Sequence, residues 1–108
     1  MANAENHLIH MLPRQDRLNL LAICKLVPLD ISEILCEPGT PTRYVYFPTE
    51  GFISLVARTD ESPGVEVGMI GREGMLGAQL VLGVVTAPLR ALVQGQGMAL
   101  RASTAAFR

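Results

Sequence analysis

Between residues 26 and 102 the chain never runs far without a glycine or a proline. All ten glycines and six of the seven prolines fall in that span. Proline removes a backbone donor and clashes with a helix interior, and glycine weakens both helices and strands, so long regular elements are interrupted again and again. What survives between the breaks is short and β-like. Residues 26–29 and 32–36 are strand-like pieces, and 44–48 is dense in aromatic and β-branched residues. Residues 52–58 form the clearest strand, with Ile53, Leu55 and Ala57 on one face and Ser54 and Arg58 on the other. In 65–70, Val65, Val67 and Met69 alternate with Glu66 and Gly68, so the polar stretch 60–64 joins the two as a hairpin. Residues 89–94 and 98–102 are expected to pair across a tight Gly95-Gln96-Gly97 turn. Glu37-Pro38-Gly39-Thr40-Pro41 and Pro48-Thr49-Glu50-Gly51 carry turn chemistry. Seven or eight short strands at regular spacing predict a sandwich or barrel.

The first 25 residues have a different pattern. Residues 5–11 predict a short helix with Leu8, Ile9 and Met11 as a partial apolar face. Pro13 suits the first turn of a second helix over 13–25, amphipathic through Leu18, Leu21, Ala22 and Cys24. His7 and His10 share a face, but the chain has no third histidine to complete a metal site, so a structural or solvent role is expected.

At 108 residues and 49% apolar content this is one folded domain with a modest core. The net charge is −1, and the eight arginines and Lys25 are scattered, so a basic footprint for nucleic acid is absent and no DNA binding by these residues is expected. Aromatic residues are scarce at 5%, with no Trp, which argues against base-stacking platforms. Cys24 and Cys36 are too few for a four-thiolate cluster and are expected as reduced thiols, Cys24 in the core. No signal peptide or membrane span is legible, so the expected location is the cytoplasm.

One stretch carries chemistry. In Gly71-Arg72-Glu73-Gly74 two glycines bracket an Arg–Glu pair, followed by about two turns of possible helix over 75–82, breaks at Gly83 and Pro88, and a strand bearing Arg90. Glycines ahead of a helix let backbone N–H groups close on an anion, a carboxylate accepts from a hydroxyl, and an arginine clamps a phosphate. That set suits a small phosphorylated molecule with a hydroxyl. The same residues equally make a glycine-rich connection sealing the end of a barrel, with Arg72, Glu73 and Arg90 solvated. The stretch matches no P-loop or dinucleotide fingerprint.

The order of these elements is informative: short helices, Glu37-Pro38-Gly39, Tyr46-Phe47-Pro48, Gly71-Arg72-Glu73-Gly74, Pro88-Leu89-Arg90-Ala91, and an N-cap residue at Ser103 opening a new helix. The chain resembles the N-terminal sensor domain of the Crp/Fnr family of bacterial transcription regulators, over essentially its whole length. The resemblance implies a mainly β fold with flanking short helices, a double-stranded β-helix (jelly roll) of the cyclic-nucleotide-binding type. Residues 1–25 would be the helical N-terminal segment, 26–102 the β-roll, and 103–108 the start of a truncated helix. It further implies an effector-sensing regulatory domain without catalysis, a homodimer in full-length form, and DNA contact only through an absent C-terminal domain. The effector is left open, with a cyclic nucleotide as the alternative. In that case Gly71, Glu73, Gly74, Arg90 and Ala91 bind it, Glu73 taking the ribose hydroxyl and Arg90 the phosphate.

Two departures qualify the site. Arg72 separates Gly71 from Glu73, and the segment from Glu73 to Pro88 is longer than the family's usual cassette. Aligned through Ala91-Leu92-Val93, the family's clamp position falls on Leu89, one residue before Arg90. A slip of one residue in a strand reverses the face, so Arg90 points away if the strand has begun by 89 and swings in if 88–90 is loop. Other chemistries find no support: cupin-type metal sites want histidines inside the barrel, and both histidines lie upstream of it.

Overall fold

The computed structural model describes residues 5–59 and 62–107, with the side chains of 58, 59, 62 and 63 excepted. Two short helices come first, α1 (His7–His10) and α2 (Arg14–Ile23). The strands follow: β1 (Lys25–Leu29), β2 (Ile34–Cys36), β3 (Tyr44–Thr59), β4 (Ser62–Ile70) and β5 (Arg90–Ser103). A 3-10 helix, Ala78–Leu82, lies between β4 and β5, and α3 (Thr104–Phe107) follows β5. All pairings are antiparallel, in the order β1-β5-β3-β4, with β2 on the N-terminal end of β5. The mainly β architecture with a few short helices is the one expected.

The strand count is not. β3 runs unbroken for 16 residues and β5 for 14, where four shorter strands and two turns were expected. At Pro48–Phe52 and Gly95–Gly97 the ladder is bulged rather than reversed: register shifts fall between Pro48 and Glu50, Glu50 and Phe52, and Phe52 and Ile53. Bulges bend and twist a strand while leaving it paired, so they use the same residues as turns. The glycines are there because the two backbones nearly touch. A Cβ on Gly51 would overlap the carbonyl oxygens of Gly95 and Gln96, and one on Gly97 would overlap the Glu50 carbonyl. Of the 60–64 loop, Ser62–Gly64 belongs to β4, and Asp60 and Glu61 lie outside the described residues.

The bends give the sheet two packed faces. Inside the roll Val27, Leu29, Tyr46, Ile53, Leu76, Ala91, Val93 and Ala99 form one core. Outside it Ile9, Val45, Phe47, Leu80 and Ala102 form a second, covered by the helices. The expected amphipathic face of α2 is displaced. Leu18 and Leu21 are exposed, and the helix meets the outer core through Leu20, with Cys24 just beyond its end. The sequence places apolar residues almost all round this helix, so its spacing alone did not single out the inward side.

Gly51 and Gly39 share a φ of +80°, but a Cβ on Gly39 meets nothing within 4 Å. Gly39→Ala should therefore cost only the left-handed strain, about 1 kcal/mol. Gly51→Ala adds a backbone overlap and should cost at least about 3 kcal/mol, lowering Tm by roughly 12 °C or more. Thermal denaturation followed by circular dichroism checks the pair, and equal losses would refute the crossing.

Candidate functional site

The stretch 71–90 leaves β4, crosses the roll and returns as β5, held by backbone bonds at both ends. Leu76 and Tyr46 exchange both of their backbone hydrogen bonds, at 2.8 and 3.1 Å. Further on, Thr42 N donates to Val85 O at 2.8 Å, Ala87 N to Thr40 O at 2.9 Å and Gly39 N to Ala87 O at 2.9 Å. These bonds dictate local structure. Because Leu76 is used as a strand partner, the expected two-turn helix over 75–82 is reduced to the 3-10 helix Ala78–Leu82. Gly77, at φ +105°, turns the chain into it. No α-helix N-terminus therefore stands beside Gly74, and the anion-binding combination expected of the 71–74 loop is not formed.

That loop instead faces the N-terminal segment. Gly74 N donates to Gly71 O at 3.1 Å to close the turn, and the Arg72 carbonyl accepts from His7 N at 2.6 Å. Asn6, 2% exposed, is the hub. Its Nδ2 donates to Pro48 O and to Gly74 O, both at 2.8 Å, and its Oδ1 accepts from Leu8 N and Ile9 N at 3.0 and 3.2 Å. All four hydrogen bonds an Asn side chain can make are made. Asn6 thus caps α1 and ties the β3 bulge to the 71–74 loop. Asn6 is an N-cap residue type, but the helix expected over 5–11 begins only at His7, and nothing local signals the two long-range bonds.

Glu73 is exposed, and its carboxylate folds back over its own loop, with Oε1 and Oε2 at 3.1 and 3.2 Å from where a Gly71 Cβ would stand. Arg90 is the first residue of β5; Ala91, fully buried, points into the inner core. The Arg90 guanidinium is engaged by two bonds along one edge: Nε donates to Glu37 Oε1 at 2.8 Å and Nη2 to Glu37 Oε2 at 3.1 Å. Such a fork is the arrangement an arginine offers a phosphate, here filled by a carboxylate from the turn after β2. Glu37 was legible only as a turn residue, since nothing local in a sequence points to a partner 53 positions away.

Beneath the crossing segment lies a recess of about 130 Å³. Its walls are Leu55 and Ile70 of the β3–β4 hairpin, Cys36 of β2, residues 75–79, and residues 87–89. Leu89 lines it; Glu73 and Arg90 do not. The lining is apolar apart from Gln79, whose Nε2 donates to Thr42 Oγ1 at 2.9 Å, and the Cys36 thiol, whose pKa burial pushes up. An apolar cavity of about 150 Å³ accommodates benzene or xenon, whereas larger organic ligands occupy about 300–1,000 Å³. At about 130 Å³ the recess is smaller than the sites that hold ligands of nucleotide size.

Solved structures share this fold. A cyclic nucleotide-binding-like protein from Brucella abortus is 21% identical with a TM-score of 0.75, over 94% of this chain and 86% of the other. The N-terminal domain of a transcriptional regulator from Streptomyces coelicolor A3(2) is 17% identical with a TM-score of 0.78, over 98% and 74%. The sensor domain of the transcriptional regulator DNR from Pseudomonas aeruginosa is 21% identical with a TM-score of 0.73, over 94% and 68%. The chain has the cyclic-nucleotide-binding fold. No family model and no curated protein matches it. This version of the fold has no described helix long and apolar enough to cross a membrane.

Asn6→Ala should destabilise the domain by about 2–4 kcal/mol, since it removes a cap and strands one buried and one part-buried carbonyl. Asn6→Asp keeps the cap but sets a charge against the carbonyls of Pro48 and Gly74, and should cost at least as much. Urea titrations of both variants check this; a stable Asn6→Asp protein would refute the hub. The Arg90–Glu37 pair is partly exposed, so a double-mutant cycle with Arg90→Gln and Glu37→Gln should return only about 1 kcal/mol of coupling.

Proposed function

We propose that this chain is an effector-sensing regulatory domain, of the kind carried by bacterial transcription regulators, with no catalysis of its own. Its effector is a small apolar molecule, or a small apolar part of a larger one, that enters the recess beneath residues 75–79 and 87–89. The observation that carries this reading is the recess itself, apolar, walled by Leu89, and without Glu73 or Arg90 in its lining. DNA contact through a separate domain, homodimerisation and action in the cytoplasm belong to the same proposal. The neighbours lend support: one is the sensor domain of a transcriptional regulator and another the N-terminal domain of one.

A second reading, cyclic nucleotide held by Gly71, Glu73, Gly74, Arg90 and Ala91, is favoured by the two-pronged guanidinium at Arg90. It requires Glu37 to release that fork and Glu73 to leave its own loop. A solved neighbour from Silicibacter pomeroyi, 16% identical with a TM-score of 0.79, is described as a putative cAMP-binding regulatory protein, and the chain spans half of it.

Methyl NMR of the whole chain with benzene as probe tests the first reading. Shifts are expected at Leu55, Ile70, Leu76 and Leu89, spreading to Ile9 and Leu80, and Leu89→Phe should remove them by filling the space. Calorimetry with cyclic AMP and cyclic GMP at millimolar concentration should give no binding heat. Binding heat that vanishes in both Glu73→Gln and Arg90→Gln would establish the second reading instead, and an absence of methyl shifts would remove the recess as a site.

A further inference from the structure

A larger groove, about 590 Å³, lies between β2 with its following turn and the corner where β3 meets the end of β5. Its volume is that of a small-molecule site. The charged and aromatic groups lining it are Glu33, Glu37, Arg43, Tyr44, Tyr46 and Arg101. Two carboxylates and two arginines look balanced, but their partners are not. Glu37 is committed to Arg90, outside the groove. Glu33 Oε1 accepts from the Asp30 backbone N–H at 3.3 Å, closing the turn after β1. Among the described residues neither Arg43 nor Arg101 has a carboxylate within 4.0 Å. The bond from Asp30 leaves Glu33 charged, but with Glu37 paired to Arg90 the lining sets Glu33 alone against Arg43 and Arg101, so its net charge is positive.

Arg101 lies against two tyrosines, its face on the Tyr44 ring and its N–H groups beside the Tyr46 hydroxyl. Its guanidinium carbon lies 4.1 Å from the centroid of the Tyr44 ring, which itself meets Tyr46 edge-on at 6.3 Å. The Tyr46 phenol is buried, which raises its pKa, and Arg101 beside it offsets part of that rise. Stacking fixes the plane of a guanidinium while leaving N–H groups along its edge for a carboxylate or phosphate. Apolar surface adjoins it: Ile34, 48% exposed, lines the same groove.

We propose that this groove binds a small organic anion. Its carboxylate or phosphate meets the edge of Arg101 with Arg43 beside it, and its apolar body lies against Ile34. The site is separate from the recess described above: the two share only Cys36, and neither Glu73 nor Arg90 lines the groove.

The test is built into the composition. The chain has two tyrosines and no tryptophan, and both tyrosines line this groove. Intrinsic fluorescence of the whole chain therefore reports on it alone. Titration with hexanoate and with hexyl phosphate should give a saturable change with at least one of them, which also names the acid group. The neutral isostere hexanamide should give none, and inorganic phosphate, lacking the apolar body, should bind more weakly. Arg101→Met should weaken binding at least about tenfold, as expected for loss of a charge-assisted pair, and Arg101→Lys by less. Should Arg101→Met fail to fold, the exposed Arg43→Gln decides, with an expected loss of a few fold. Absence of saturation with either anion, an equal response to hexanamide, equal binding of inorganic phosphate, or unchanged affinity in the arginine variants would overturn the proposal.

Discussion

The backbones of β3 and β5 approach so closely around Gly51, Gly95 and Gly97 that no side chain fits between them. Everything else in the domain follows from how that crossing is made. Two strands of 16 and 14 residues cannot stay flat and also close a roll. The bulges bend both at one place, and each register shift changes which face a side chain meets. Before the bend Val45 and Phe47 enter the outer core while Tyr46 enters the inner one; after it Ile53 is inside. One pair of long strands thereby supplies both cores, which a chain of this length could not build from separate sheets.

The segment 71–90 is suspended across this bent pair, and its fixings couple the two cores. Gly74 hangs from Asn6, Leu76 from Tyr46, and 85–87 from the turn after β2. Between these fixings Leu76 belongs to the inner core and Leu80, four residues on, to the outer one beside Ile9 and Phe107. Packed interiors transmit displacement because they have no slack. On the proposed reading, an occupant of the recess would push against Met75 and Leu76, and the short 3-10 helix would carry that push to Leu80 and the outer core. Val81 and Leu82, 71% and 82% exposed at the tip, are free to follow.

How much of this was legible in the sequence depended on whether a signal was local. The β architecture was legible because glycine and proline interrupt every apolar run after residue 26. The β3–β4 hairpin was legible from the alternation at 52–58 and 65–70, and its register pairs Ile53 with Ile70 and Ala57 with Val65. The crossing was not. Pro48-Thr49-Glu50-Gly51 and Gly95-Gln96-Gly97 have the composition of turns, and only the partner strand, 40 to 50 residues away, turns them into bulges. The helix over 75–82 failed for a related reason: its residues are adequate helix formers, but a backbone pairing with Tyr46 claims Leu76 first.

The case of Arg90 shows how a single position decides a site. The strand begins at Arg90, so Ala91 takes the inward place and Leu89 the wall of the recess. An arginine displaced to the strand's first residue has an exposed route to neighbouring loops, and the acidic residue of the turn after β2 is within its reach. Once Glu37 fills the fork, the pair neutralises itself, and an incoming phosphate has to displace a carboxylate already bound at two points. Arg101 reaches the opposite condition from the same strand. Its partners are tyrosines, the Tyr44 ring beneath it and the Tyr46 hydroxyl beside it, which fix a guanidinium without neutralising it. Of the two arginines on β5, the one at its start is thus paired with a carboxylate, and the one near its far end is not.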